Sequence, residues 1–340
     1  MVEYMPRQAR LDTAGVLHHV MIRGIERRNI FRSHKDRDDL IDRLSYLLPE
    51  TKTFCYAWAF LSNHAHFLMR SGPSGIALLM RRLLTGYVVS FNRRHHRTGQ
   101  LFQNRYKSII CEEDVYFKDL VRYIHLNPLR ANLVSTLSDL DGFPYSGHSA
   151  LMATKERPWQ DTAYVLGFFS QDTERARGAY HAYVESGIDQ GRREDLAGGG
   201  LVRSFGGWSE ITHQGQRVKG DQRILGGSEF VLKVLAEADQ QYAQKGTLRA
   251  QRYTPETLAD TVAAANGLRR DDILSKGRQK HPVEARSLFC YLAVQYLGTS
   301  TTDLARLLGM VPSAISYAVK RGKRIAEKKG SPVVGELLNY

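Results

Sequence analysis

The feature that most constrains the fold is a hydrophobic period that switches between two and about 3.6 residues along the first 150 positions. "GVLHHVMIRG" (15–24) is β-rich and ends on a glycine, whereas "DRDDLIDRLSYLL" (36–48) sets Leu40, Leu44 and Leu47 at helical spacing. "TFCYAWAFLSNHAHFLMRS" (53–71) holds two apolar runs broken at Ser62-Asn63, the pattern of a β-hairpin. A long helix is expected over 74–96, a strand over 106–111, and a helix over 112–127 stopped by Pro128.

The order β-α-β-β-α-β plus one more helix predicts an α+β fold. Its expected form is a ferredoxin-like antiparallel sheet with helices on one face and the other face open to a ligand. Beyond residue 150 the character changes. Residues 155–187 read as helical around Trp159, Tyr164, Tyr180 and Tyr183, and 187–208 is a linker rich in glycine and charge. Helical patterns resume at 228–245, 254–268 and 281–298. The expected divisions are a domain over 1–150, a helical extension and linker over 151–227, and an all-α domain over 228–340.

Charge narrows the partner. Lys and Arg number 48 against 35 Asp and Glu, a net +13 spread through both halves of the chain. That balance favours a polyanion, and nucleic acid over membrane, because no amphipathic anchor is visible. No apolar run approaches the roughly 18 residues that span a bilayer. "MVEYMPRQARLD" lacks the apolar core of a secretory signal, so a cytoplasmic protein without a membrane partner is expected. Cys55, Cys111 and Cys290 are odd in number and widely spaced, which argues against a disulfide framework or a cysteine zinc site.

Inside the hairpin, "LSNHAHFLM" (61–69) places His64 and His66 two residues apart. On a strand they share a face, where two imidazoles form half a site for a divalent transition ion. The plainer alternative is a buried, hydrogen-bonded histidine beside a solvent-facing one. On the helix 112–127, Tyr123 and Asn127 stand one turn apart, so Asn127 can offer an amide oxygen and Tyr123 a phenol. Their plainer alternatives are a core aromatic and a helix terminus before Pro128.

Other titratable residues rank lower. Tyr116 reads as packing. His18 and His19 are adjacent on a strand and face opposite ways, so they cannot chelate as a pair, though one sits near the sheet face. His95-His96 in "NRRHHR" end a basic helix, either near phosphate or solvated. Arg105 and Lys107 alternate with Tyr106, which would put two cations on one strand face. With Arg23 they are the candidate DNA contacts of this half.

"HAH" followed by "YIHLNPLRANLV" (123–134) resembles the single-tyrosine HUH transposases, and specifically the REP-associated tyrosine transposases. "PRQARLDTAGVLHHVMIRGIERRNIF" (6–31) and "GQLFQNRYKS" (99–108) are similar to that family's opening and middle segments, so the likeness covers about 6–150. It implies metal-assisted DNA strand cleavage on a ferredoxin-like fold in the bacterial nucleoid. His64 and His66 match the pair that binds a divalent ion, Mg²⁺ or Mn²⁺. Asn127 stands where relatives carry a glutamine or similar ligand, and Tyr123 matches the nucleophile. Palindromic repeat DNA, single-stranded or hairpin, is the implied substrate. Relatives also work as homodimers that exchange the tyrosine helix, and the sequence leaves that alternative open.

A second signal lies in "TSTTDLARLLGMVPSAISYAVKRGKR" (299–324). Ser300 and Asp303 resemble a capping box, Leu304, Leu307 and Leu308 form an apolar face, and Gly309 permits a turn. A second helix starts at Pro312 with Ile315, Ala318 and Val319 inward. This is the pattern of a helix-turn-helix, an ordinary helical hairpin being the alternative. Ser313, Ser316, Tyr317, Lys320 and Arg321 would then meet base edges and phosphates. The stretch 273–321 resembles the DNA-binding domain of the replication initiator DnaA, but "PSAISYAVKR" replaces its usual recognition sequence. No GxxxxGK[ST] motif is present, so no ATPase is expected.

These readings predict a DNA-cleaving and rejoining enzyme acting through a 5′-phosphotyrosine, with the C-terminal module adding duplex affinity. The competing reading is a non-cleaving transcription regulator that keeps the transposase fold; a third is a nuclease using water instead of Tyr123.

Overall fold

The structure is a computed structural model. It describes residues 11–328 apart from 192, 194–195, 197–220, 239–253, 278 and 298. It divides into two compact units, Met1–Leu235 and Ala236–Tyr340. Among the described residues no helix is long and apolar enough to cross a membrane.

The first unit begins with β1 (Leu17–Arg23), α1 (His34–Thr51), β2 (Phe54–Phe60), β3 (His64–Arg70), α2 (Gly75–Arg94), β4 (Lys107–Cys111) and α3 (Glu113–His125). This is the expected order. The helix α1 starts earlier than its leucine pattern because Ser33 and Asp36 form a capping box. Asp36 is fully buried and holds Arg94 (2.6 Å) and His95 (2.9 Å). His95 therefore pins α2 to the cap of α1.

The sheet runs β2-β3-β1-β4-β5, every pair antiparallel except the last. The added strand, β5 (Ile224–Leu225), is parallel to β4 and was not legible as a strand. At the opposite edge, β2 is bridged by Gln160 and Ser146. The Gln160 amide donates to the carbonyls of Tyr56 and Gly147, each at 3.1 Å, and accepts from the Trp58 indole at 2.8 Å.

The register sorts the side chains. Val20, Ile22, Trp58, Phe67 and Met69 pack under α1 and α2 in one core. Leu17, Ala59, Leu68 and Ile109 belong to a second core on the opposite face, with Phe117, Leu120, Val121 and Ile124 of α3. The expectation of an open sheet face is thus corrected: α3 lies across it. Its cause is the apolar stripe of α3, each such side chain contributing roughly 1.5–3 kcal/mol on burial.

The chain continues through α4 (Asn127–Arg130), α5 (Leu137–Gly142), α6 (His148–Leu151), α7 (Thr162–Gly167) and α8 (Thr173–Glu185). Val165, Leu166, Tyr180 and Val184 enter the same core as α3, and the compact unit runs to Leu235. The helices α7 and α8 thus pack on the same core as α3. The expected linker 187–208 lies mostly outside the described residues, but Leu196 is buried in that core. A helix over 228–238 (α9) follows β5.

The second unit contains α10 (Pro255–Ala265), α11 (Arg270–Leu274), α12 (Lys280–Leu292), α13 (Thr301–Leu307) and α14 (Pro312–Lys328). Leu258, Phe289, Leu304, Leu308, Ile315 and Ala318 form its core. Ser300 caps α13 by accepting from the Asp303 amide at 3.0 Å, and Gly309 turns the chain at φ +59°. A Cβ at Gly322 would come within 1.9 Å of the Ser287 carbonyl oxygen, so α14 lies against α12 at backbone contact.

Candidate active site

His64 and His66 pair with Arg23 and Met21 of β1, on the face covered by α3. Their ring centroids are 5.1 Å apart. Hydrogen bonds settle how His64 is oriented. The Asn63 amide nitrogen donates to the Arg27 carbonyl at 3.0 Å, so its oxygen is the atom 2.6 Å from His64 Nδ1. A neutral His64 then carries its proton on Nδ1 and keeps the Nε2 lone pair.

His66 is 5% exposed, and its Nδ1 lies 3.0 Å from Nε2 of His19. Burial holds the pKa of both rings down, His19 to about 4 and His66 well below its usual range. His19 is a residue that sequence reasoning ranked below the His-x-His pair, placing only one of His18 and His19 near the sheet face. Two-residue alternation puts it beside Met21 on this face, while His18 turns to the other face and meets Ser108 Oγ at 3.0 Å.

Tyr123, on the last turn of α3, reaches the same spot. Its ring centroid is 5.9 Å from those of His66 and His19, and it is 7% exposed. The orientation of α3 here is fixed from behind. Tyr180 Oη links His125 Nδ1 (2.8 Å) with His148 Nδ1 (2.6 Å), and His148 Nε2 meets Asp141 at 2.8 Å.

Asn127 does not share one uninterrupted helix with Tyr123, as the expected span 112–127 required. The helix α3 ends at His125, and Asn127 opens α4 with Pro128 in its first turn. The side chain still turns back: the Asn127 amide nitrogen donates to the Tyr123 carbonyl at 3.0 Å and the Ile124 carbonyl at 3.3 Å. Since carbonyls only accept, the nitrogen must be the atom engaged, and Oδ1 is left as the donor toward a cation.

Arg130 completes the surroundings. Its guanidinium lies 5.7 Å from the Tyr123 ring centroid and donates to the Gly187 carbonyl at 3.3 Å. Its Nε and one Nη are buried with no hydrogen-bond partner. Burial pulls its pKa down, Tyr123 opposes that, and Arg122 and Arg193 add to it.

The predicted DNA contacts fall differently. Arg23 and Lys107 are exposed at strand positions on the histidine face. Arg105 sits in the bend before β4, so it is not paired with Lys107 on one strand face. In the second unit Ser313, Ser316, Lys320 and Arg321 are exposed on α14, and Tyr317 is 76% exposed. Arg321 also donates to Ser287 Oγ at 2.8 Å, which ties part of it to packing against α12.

Among the described residues no group of three or more His, Cys, Asp or Glu is placed to hold a metal ion. Two neutral imidazole nitrogens and one amide oxygen do suit a divalent ion such as Mn²⁺, with remaining positions left to water or phosphate.

The sheet thus carries a His-x-His strand beneath a tyrosine-bearing helix. Comparison with known proteins finds similarity in two stretches. Residues 13–127 match the family described as IS200-like transposases, and residues 255–321 match the bacterial DnaA protein helix-turn-helix. The first match lies within the first compact unit and the second within the second unit.

The chromosomal replication initiator DnaA of Nautilia profundicola is 29% identical over 112 residues, which cover 33% of this chain and 25% of that protein. The chain thus spans about a quarter of that relative's length. A solved REP-associated tyrosine transposase bound to a REP hairpin aligns with 46% of this chain and 98% of its own. The identity is 16% and the TM-score 0.37, too low to bear on the fold, which rests on the strand order.

Proposed function

We propose that the protein cuts and rejoins single-stranded or hairpin repeat DNA, with Tyr123 as nucleophile in a metal-dependent reaction. The observation that carries this reading is the approach of Tyr123 to His66 within one chain, on the face that also holds His64, Arg23 and Lys107. Support for the REP-associated branch comes from the motifs "HAH" and "YIHLNPLRANLV" inside and just beyond the IS200-like match.

Nε2 of His64, Nε2 of His66 and Oδ1 of Asn127 would hold the ion. When bound, a divalent ion withdraws charge from the scissile phosphate and stabilises the departing oxygen. Arg23 and Lys107 hold the DNA backbone beside the histidines. Tyr123 Oη bonds to phosphorus as the phenol loses its proton; the bond to the 3′ oxygen breaks, and that oxygen takes up a proton as a free 3′-hydroxyl. The phosphotyrosine ester preserves the energy of the phosphodiester, so attack by another 3′-hydroxyl reverses the step without ATP. The helix-turn-helix adds a second DNA attachment on the same chain, raising the effective concentration of the first.

The test is incubation of a labelled repeat hairpin with Mn²⁺, followed by denaturing gel analysis for a protein-linked product. A covalent product that disappears in Tyr123→Phe is expected. Cutting that survives Tyr123→Phe would mean water is the nucleophile, and no cutting of any repeat hairpin would favour a regulator that only binds.

A further inference from the structure

We propose that His19 is a positioning residue for the metal face: together with the Leu196 carbonyl it fixes which nitrogen of His66 carries the proton. The chain of contacts permits one assignment. The Leu196 carbonyl can only accept, and it lies 3.3 Å from His19 Nδ1, so that nitrogen bears the hydrogen. A neutral ring protonated at Nδ1 has its lone pair at Nε2, and His19 Nε2 is 3.0 Å from His66 Nδ1. His66 Nδ1 is therefore the donor of that bond. In a neutral His66 the remaining nitrogen, Nε2, is left with its lone pair.

Both rings stay neutral in this setting. His19 is wholly buried and His66 nearly so, and the side-chain charges that act on them, Lys107 and Arg23, are positive. The two rings stack at 5.3 Å with 27° between their planes, which holds the orientation as well as the proton. Asn63 does the same for His64, so each member of the pair has its own partner setting Nδ1–H.

The consequence is a site prepared before any ion arrives. A ligand nitrogen must be unprotonated, and a histidine whose other N–H is held by a partner is a better-oriented and more basic ligand. The terminal acceptor comes from Leu196, well beyond the residue 127 limit of the IS200-like match. The face of the sheet thus depends on a later segment for its proton arrangement. Only the use of this device rests on the metal-dependent reading above; the arrangement itself is measurable without metal.

The experiment is long-range ¹H–¹⁵N correlation NMR on the full chain labelled with ¹⁵N-histidine, free of metal, with His66 assigned through His66→Gln. The expected result is His66 protonated at Nδ1 at neutral pH. Protonation at Nε2 would overturn the proposal outright. Mn²⁺ titration by calorimetry supplies the second readout. His19→Phe should weaken binding by roughly 10–100-fold, while His19→Gln, whose amide oxygen can replace the Nε2 acceptor, should retain most of it. Equal Mn²⁺ affinity in the Phe variant and the native chain would also refute a positioning role. Should the native chain show Nδ1–H on His66 yet bind no Mn²⁺, the metal reading fails and the tautomer assignment stands.

Discussion

Acidification should unfold the first unit well above the pH at which carboxylates are protonated. His18, His19 and His148 are buried and neutral, each with its pKa pulled down to about 4 mainly by burial. In the unfolded chain each returns to about 6.5. Between those values the unfolded state binds more protons, so stability is complete above pH 6.5 and falls as pH drops toward 4. At pH 5 each group costs about 2 kcal/mol, from about 1.4 kcal/mol per pH unit over roughly 1.5 units. The three together remove about 6 kcal/mol from a domain whose whole stability is of order 5–15 kcal/mol. His66 and His125, whose pKa values are also lowered by burial, act in the same direction.

Urea titration followed by tryptophan fluorescence measures this for the first unit alone, because Trp58, Trp159 and Trp208 all precede Leu235. The midpoint should fall by the order of 2 M between pH 7 and pH 5. Asp36, whose pKa is lowered by His95, the Arg32 amide and Arg94 against the effect of burial, loses its contribution only below its ordinary 3.8, outside that window. A midpoint that stays flat from pH 7 to pH 5 would refute the assignment of these histidines as buried and neutral.

Three further outcomes are expected. Arg130→Met removes a guanidinium with two unpartnered buried nitrogens, so the urea midpoint should rise by the equivalent of about 1 kcal/mol. Gly322→Ala forces a methyl group against the Ser287 carbonyl and Tyr291, and far-UV circular dichroism should register a loss of at least about 1–3 kcal/mol in the helical unit. Tyr317→Ala should leave stability within about 0.5 kcal/mol but weaken duplex DNA binding, whereas Lys320→Ala should lower the salt slope of binding by about one.

The histidine pair was legible because a strand has a fixed two-residue alternation, and the β-hairpin around Ser62-Asn63 could be read locally. The helix-turn-helix was legible for the same reason: Ser300, Gly309 and Pro312 act on their immediate neighbours. His19 was not, because its meeting with His66 depends on the β1–β3 register, which joins residues 47 apart in sequence. The break between α3 and α4 was placed two residues late, since Pro128 serves as the first turn of a new helix instead of the stop of the old one. The clamp of His95 onto Asp36 and the two-residue strand β5 are likewise long-range pairings with no local pattern to announce them.

The treatment of the two sheet edges sets the smallest piece of this gene that can make a well-behaved product. Gln160 and Ser146 bridge the outer side of β2 at Cys55 and Ala59, and Ile224–Leu225 pairs with Ile110 and Cys111 on the outer side of β4, so part of each edge is already taken. All of these edge partners lie after position 127, where the transposase likeness ends. A fragment cut at that limit would lose these edge partners together with Val165, Leu166, Tyr180 and Val184 of the core around α3, and should aggregate on expression. The piece that carries its own edge partners therefore runs to about residue 235, roughly twice the span that the family likeness delimits.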